Sequence, residues 1–141
     1  PADVLAVTDD TSQTSAAGTP LTFAATALAS GNSLSHQPGS ADIVINQPGI
    51  YQASFHSTVS TETGASIPAT LTVNLALNGA TLPGARPPTP SPRPRRPLPV
   101  LYGALPGGHH PLHLAAVPVQ AGFPFANSSL TVVRLGDVPT A

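Results

Sequence analysis

The histidines of the stretch GGHHPLH are the residues whose spacing most resembles a metal site. His109 and His113, with His110 between them, have the i, i+4 separation of a helical metal pair. Pro111 also lies between them, and proline cannot occupy the interior of that helix. Residues 63–136 contain no Asp or Glu to complete a ligand set. We therefore expect a histidine cluster in a loop, with adventitious metal affinity at most, and no metal site or cofactor.

Nucleophilic catalysis has little support in the sequence. The chain has no cysteine and no G-x-S-x-G elbow. Choosing one of its many Ser or Thr residues to pair with His36 or His56 and an aspartate would be arbitrary. His56 alternates onto the polar face of a predicted strand, where we expect it to be exposed or at an interface. The sequence thus predicts no catalytic residue and a protein that is not an enzyme.

Two shorter polar motifs carry little chemistry. Asp9 and Asp10, beside Thr8 and Thr11, offer oxygen atoms to a cation, but an acidic turn is the commoner structure. The stretch 127–129 (NSS) has the form of an N-glycosylation sequon, and only the form.

The stretch GARPPTPSPRPRRPLP, residues 84–99, is both basic and rich in proline. The prolines at 87–90 and 94–97 have the spacing of an SH3-type ligand, but Tyr102 stands where its core expects a second proline. The arginines have no interleaved aromatic residues, which makes the segment a poor nucleic-acid site. We favour a solvated loop over a docking motif.

The bulk composition restricts the partners further. Charged residues make up 8% of the 141 positions, there is no lysine, and the formal net charge is −1. Such a chain is not built to bind nucleic acid. No apolar run reaches the roughly 18–20 residues of a spanning helix, so we expect no membrane insertion. The start of the chain has no signal-peptide pattern, and we expect it to be excised from a longer protein.

Two-residue alternation of apolar and polar side chains predicts antiparallel strands in most of the first 82 residues, and no stretch has a helical period. A turn is predicted at Pro48-Gly49, and Asn78-Gly79 predicts a tight hairpin. A β-branched run at 127–137 predicts the last strand. The side chains predicted to face inward are Leu21, Phe23, Ile43, Ile45, Tyr51, Ala53, Phe55, Ser57, Val59, Leu71, Val73, Leu75 and Leu77.

Proline breaks this pattern between Pro83 and Pro124, where twelve of the eighteen prolines fall. Proline cannot donate to a strand ladder, so we expect an irregular segment at about 84–122, in polyproline conformation or as a surface loop. The sequence as a whole predicts one all-β domain over 1–141, an antiparallel jelly-roll sandwich.

Three stretches resemble the C-terminal domains of bacterial collagen-like spore-surface (exosporium) glycoproteins of the BclA type, which have the jelly-roll fold of the complement and tumour-necrosis-factor superfamily. They are PGIYQASF (48–55), VNLALNGATLPG (73–84) and SSLTVVRL (128–135). The residues that match the family's strands and hairpin are Gly49, Tyr51, Phe55, Asn78, Gly79, Leu130, Val132 and Leu135.

The resemblance implies a homotrimeric, non-catalytic head that caps a collagen-like stalk on the extracellular face of the spore or on a cell surface. Its role would be structural and adhesive, with host-surface or spore-coat partners. The alternative is the receptor-binding tip of a phage or bacterial fibre, which also uses trimeric β-heads.

The chain departs from the family at 85–122, where two further strands are expected. The abrupt change of composition suggests a reading frame lost near Ala85 and regained near Phe123. Translation of the other two frames of the gene tests this hypothesis, which requires one of them to encode alternating strands.

Overall fold

The computed structural model describes residues 3–59, 73–81, 100–103 and 112–137, the third of these ranges as backbone. These ranges contain β-strands, the loops between them and no helix, so none of them contains a helix able to cross a membrane. The strands are β1 (Val4–Thr14), β2 (Ala25–Ser30), β3 (Leu34–His36), β4 (Ile43–Ile45), β5 (Gly49–Val59), β6 (Val73–Leu77), β7 (Ala80–Thr81), β8 (Val100–Gly103), β9 (Leu112–Pro118) and β10 (Pro124–Gly136). The predicted all-β class is confirmed.

The strands form two five-stranded antiparallel sheets. The first sheet has the order β2-β1-β10-β5-β8, and the second has the order β3-β4-β9-β6-β7. Four of the pairs are nested in sequence: β1 with β10, β4 with β9, β5 with β8, and β6 with β7. The chain therefore runs outward and returns alongside itself, which brings its first and last strands together.

The core lies between the two sheets and follows most of the predicted alternation. Of the side chains predicted to face inward, Ser57, Val59 and Leu77 are only half-buried, and Leu71 lies outside the described residues. In β5, Tyr51, Ala53 and Phe55 are buried, and Phe55 and Ala53 stand opposite Leu130 and Val132 of β10. The second sheet contributes the buried side chains of Ile43, Ile45, Val73, Leu75, Leu112, Leu114 and Ala116. Burial of this apolar surface is the main stabilising contribution to the fold.

Leu21 and Phe23 are buried as predicted, but they do not belong to a strand. They precede β2, which begins at Ala25. The Leu21 amide donates to the Ala116 carbonyl and the Phe23 amide to the Ser40 carbonyl, so separate elements satisfy the backbone of this loop. Two apolar side chains separated by one residue give the same pattern in a docked loop as in a strand.

The predicted turn at Pro48-Gly49 lies slightly earlier than expected. Gly49 is already the first residue of β5, and the link from β4 consists of residues 46–48. The Asn46 amide anchors this link by donating to the Ser33 carbonyl at 2.8 Å.

The predicted irregular segment at about 84–122 is wrong over two ranges. Residues 100–103 form β8, which pairs with the start of β5, and residues 112–118 form β9, which is central in the second sheet. The parts at 84–99 and 104–111 lie outside the described residues.

The local sequence of β9 explains the error. Proline enters this strand only at its last residue, Pro118, so the strand interior keeps its amide donors. Leu112, Leu114 and Ala116 face inward and belong to the core, whereas His113 and Val117 of the same strand are more exposed. A composition judged over forty residues conceals this seven-residue pattern. The buried alternation of β9 gives the frame-shift hypothesis no support over 112–118.

Candidate functional site

The residues that carry the family resemblance lie in three places. Tyr51, Phe55, Leu130 and Val132 are buried between the sheets, whereas Leu135, near the end of β10, is 55% exposed. Asn78 and Gly79 join β6 to β7 with φ angles of 50° and 84°. Both angles are positive, as the predicted tight hairpin turn requires.

Gly49 begins β5 at a corner where the chain passes close to Arg134 of β10. A guanidinium nitrogen of Arg134, Nη2, donates to the Pro48 carbonyl and to Asp137 Oδ1, each at 2.7 Å. The bond to Asp137 raises the pKa of Arg134 above its ordinary value. The Tyr51 hydroxyl donates to the Gln47 carbonyl at 2.6 Å and closes the same corner.

The sequence predicts that His113 lies in a loop without a carboxylate partner, and this prediction is wrong. It belongs to β9, and its Nδ1 lies 3.3 Å from Oδ2 of Asp42. The fold brings together residues that are 71 positions apart, which a search along the chain cannot detect. His109 and His110 lie outside the described residues. The part of the chain that the structure describes holds no group of three or more metal-ligating side chains.

The other two histidines have different environments. His36 Nε2 donates to the Ser40 carbonyl at 3.0 Å, and Nδ1 accepts from the Thr26 hydroxyl at 2.8 Å. His56 is half-buried in β5 and stands opposite Ser129 of β10. These contacts bring no Ser–His–Asp arrangement together.

The predicted acidic turn at Asp9-Asp10 is wrong, because both residues belong to β1. The pairing of β1 with β10 shifts register between Asp9 and Ser12. Asp9 is buried, and its carboxylate accepts from the amide and the hydroxyl of Thr11. Asn127 lies in the matching irregular part of β10, exposed, with a φ of 51°.

The outer face of the first sheet carries nine neighbouring side chains without a fixed charge. They form three rows across β1, β10 and β5, which we call the neutral face: Val4, Val133 and Gln52; Ala6, Thr131 and Ser54; Thr8, Ser129 and His56. Leu28 of β2 extends the middle row beyond Ala6 and is 53% exposed. The two-residue alternation predicts the outward positions in β5, whereas the positions in β1 and β10 and the order of the strands come from the structure.

The outer face of the second sheet contains an open groove with a volume of about 670 Å³. Ala76, Ala115 and Val117 form its apolar floor, and the polar side chains around them are Asp42, Asn74, Asn78, Thr81 and His113. We call this feature the outer groove. The sequence places Asn74 on an outward face, but Asp42 and His113 are brought to it only by the pairing of β4 with β9.

The chain matches no known protein-family model, and it matches no curated protein. Its function is therefore argued from the neutral face and the outer groove.

Proposed function

We propose that this chain is the trimerising, non-catalytic head of a collagen-like glycoprotein on the outer surface of spores. Its role is structural and adhesive, and its fold is a jelly roll of the tumour-necrosis-factor type. The neutral face is the observation that carries the assembly part of this proposal, and the resemblance of residues 48–55, 73–84 and 128–135 carries the spore-surface part.

The nested strand pairs support the jelly-roll part of the proposal. If β2 and β3 are set aside as additional edge strands, eight strands remain. The first then pairs with the eighth, the second with the seventh, the third with the sixth and the fourth with the fifth. A jelly roll has this pattern because it is a long antiparallel ribbon folded across two sheets.

The chemistry of the neutral face supports assembly. Burying a charged group without a partner is costly, so the centres of protein interfaces are depleted of charged residues. The neutral face meets this condition over three adjacent strands, and an exposed Leu28 adjoins it. Packing three such faces around an axis would bury them without leaving any fixed charge unpaired. Closure into a ring needs a heterologous contact, in which each copy touches two neighbours.

Sedimentation of the chain and of two variants tests the assembly. We expect the wild type to be a trimer and Ala6→Arg to be a monomer, because the new charge would be buried at the middle of the neutral face. Ser35→Arg, on an exposed position of β3 in the other sheet, is the matched control and should remain a trimer. A stable wild-type monomer, or a trimer that survives Ala6→Arg, would overturn the proposal.

The neutral face would serve the trimeric tip of a phage or bacterial fibre equally well. The coding sequence upstream of Pro1 distinguishes the two functions. Repeating Gly-x-x triplets indicate the collagen-like protein, whereas a shaft repeat indicates a fibre.

A further inference from the structure

We propose that the outer groove binds a neutral saccharide. It lies on the second sheet, so it is separate from the neutral face and does not depend on the proposed trimer. Three properties of its lining carry the inference: an apolar floor, a rim of both donors and acceptors, and its charge.

The floor is low because its central side chains are methyl groups. Ala76 and Ala115 are register partners on β6 and β9, and both alternate with core residues of their strands, so they lie on the outer face, where 4% and 6% of their surface is exposed. Asn74 on β6, Asn78 in the β6–β7 turn and His113 on β9 are larger neighbours that also line the groove. A flat apolar strip between polar ridges suits the C–H face of a sugar ring, since ligand sites combine apolar contact with a few placed polar groups.

The rim offers hydrogen-bond donors as well as acceptors. Asp42 has a side chain that is 40% exposed, so its carboxylate can accept from ligand hydroxyls beyond its contact with His113. The Oδ1 atom of Asn78 accepts from the His113 amide at 2.7 Å, which leaves the NH₂ group of Asn78 to donate. A sugar hydroxyl both donates and accepts, and this rim can meet both needs.

The donor on Asn78 is held by the sheet. The Asn78 amide donates to the His113 carbonyl at 2.8 Å, in addition to the side-chain bond between the same residues. A binding group fixed in this way loses little conformational entropy when a ligand binds.

The charge and the lining of the groove disfavour anions and metal ions as ligands. No Arg or Lys is among its described lining residues, and Asp42 would repel an anion. A metal ion would find one carboxylate there, and the described residues hold no group of three metal-ligating side chains. A neutral polyhydroxyl compound is the class that this combination fits.

The groove would face outward in an assembly that buries the neutral face, because the two surfaces belong to opposite sheets. A trimer would then present three grooves, and simultaneous attachment to a glycan surface would raise the apparent affinity without any new contact. The affinity of a single groove should be the same in a monomeric variant.

The test is an NMR titration of the ¹⁵N-labelled chain with D-glucose, D-galactose, L-fucose and N-acetyl-D-glucosamine, and with ethanolamine as a cationic probe. We expect at least one sugar to give saturable shifts at the amides of Asn74, Asn78 and His113, with millimolar dissociation constants. Ala115→Leu should abolish them by filling the floor. Asp42→Asn, which keeps the side-chain shape, should weaken binding about tenfold. Gln52→Ala, on the neutral face, should bind like the wild type.

Three results would overturn the proposal: no saturable shift with any of the four sugars, wild-type affinity in both Ala115→Leu and Asp42→Asn, or ethanolamine binding more tightly than every sugar. Repeating the titration on Ala6→Arg separates this proposal from the trimer. Binding by a monomeric Ala6→Arg chain supports the groove whatever the assembly state of the wild type.

Discussion

Asn78 and His113 are joined by two hydrogen bonds between the β6–β7 turn and strand β9. The Asn78 amide donates to the His113 carbonyl at 2.8 Å, and the His113 amide donates to Asn78 Oδ1 at 2.7 Å. The side chain of Asn78 therefore takes the place of a backbone carbonyl and extends the ladder beyond the end of β6. Asparagine supplies this acceptor and also tolerates the positive φ of the turn.

Substitutions at Asn78 should separate these two roles. Asn78→Gly keeps the left-handed backbone but loses the acceptor, so the free energy of unfolding should fall by about 1 kcal/mol. Asn78→Ala loses the acceptor and, unlike the Gly variant, keeps a Cβ in the left-handed region without the polar side chain that makes asparagine tolerant of it, so it should be about 1 kcal/mol less stable than Asn78→Gly. Urea unfolding at a fixed protein concentration measures both. Equal stability of the Gly and Ala variants would contradict the turn geometry, and a Gly variant as stable as the wild type would leave the side-chain bond without effect.

The hairpin illustrates what the sequence alone could predict. The pair Asn78-Gly79 specifies its own turn because both φ angles are local properties. The bond to His113 was not predictable, since its two partners are 35 positions apart and meet only when β6 pairs with β9. The outer groove was missed for the same reason.

The sequence likewise predicts some of the buried segments correctly and misassigns others. The alternation in β5 predicts the buried Tyr51, Ala53 and Phe55 because each of these side chains follows the pleat, whereas Ser57, beside a register shift with β10, is only half-buried. Leu21 and Phe23 were misassigned, because a loop docked on the second sheet buries the same two-residue spacing. Strand β9 was overlooked because the prolines around it dominate the composition, although its interior has none.

Gly49 is expected to be intolerant of any side chain. A Cβ at this position would lie 2.6 Å from Nε of Arg134 and 2.9 Å from the carbonyl oxygen of Gly136. The second contact is with backbone, so the corner between β5 and β10 must shift. Gly49→Ala should therefore lower the free energy of unfolding by about 1–3 kcal/mol.

Gly136→Ala provides the matched control for Gly49→Ala. It lies at the same corner, but a Cβ there meets nothing within 4 Å, and its φ is not positive. We expect the midpoint temperature of thermal unfolding of Gly136→Ala to lie within about two degrees of that of the wild type. A change of a few tenths of a kcal/mol in stability shifts the midpoint by about this much in a domain of this size. If Gly49→Ala unfolds at the same temperature as the control, the corner accommodates a methyl group without a shift.

Asp3 should make the stability of the domain depend on pH in the acidic range. Its carboxylate accepts from the buried Ser33 hydroxyl and from the Ser33 amide at 3.2 Å. The hydroxyl bond is the main cause of a pKa lowered below the ordinary 3.8, and the positive charge of Arg134 adds to it. The folded form thus binds this proton less readily than the unfolded chain does. Asp3 therefore stabilises the fold above pH 3.8, and this contribution is lost as the pH falls through the lower folded pKa.

Unfolding of the wild type, Asp3→Asn and Ser33→Ala between pH 6 and pH 2 checks this expectation. Asp3→Asn has no titrating group at this position, so its stability should fall less steeply with acid than that of the wild type. Ser33→Ala removes the main cause of the lowered pKa and should also flatten the profile, although it keeps the Asp3 carboxylate. If the profiles of Ser33→Ala and the wild type are parallel, the Ser33 hydroxyl does not control the titration of Asp3. The Ser33 amide and the charge of Arg134 would then be the causes of the lowered pKa that remain.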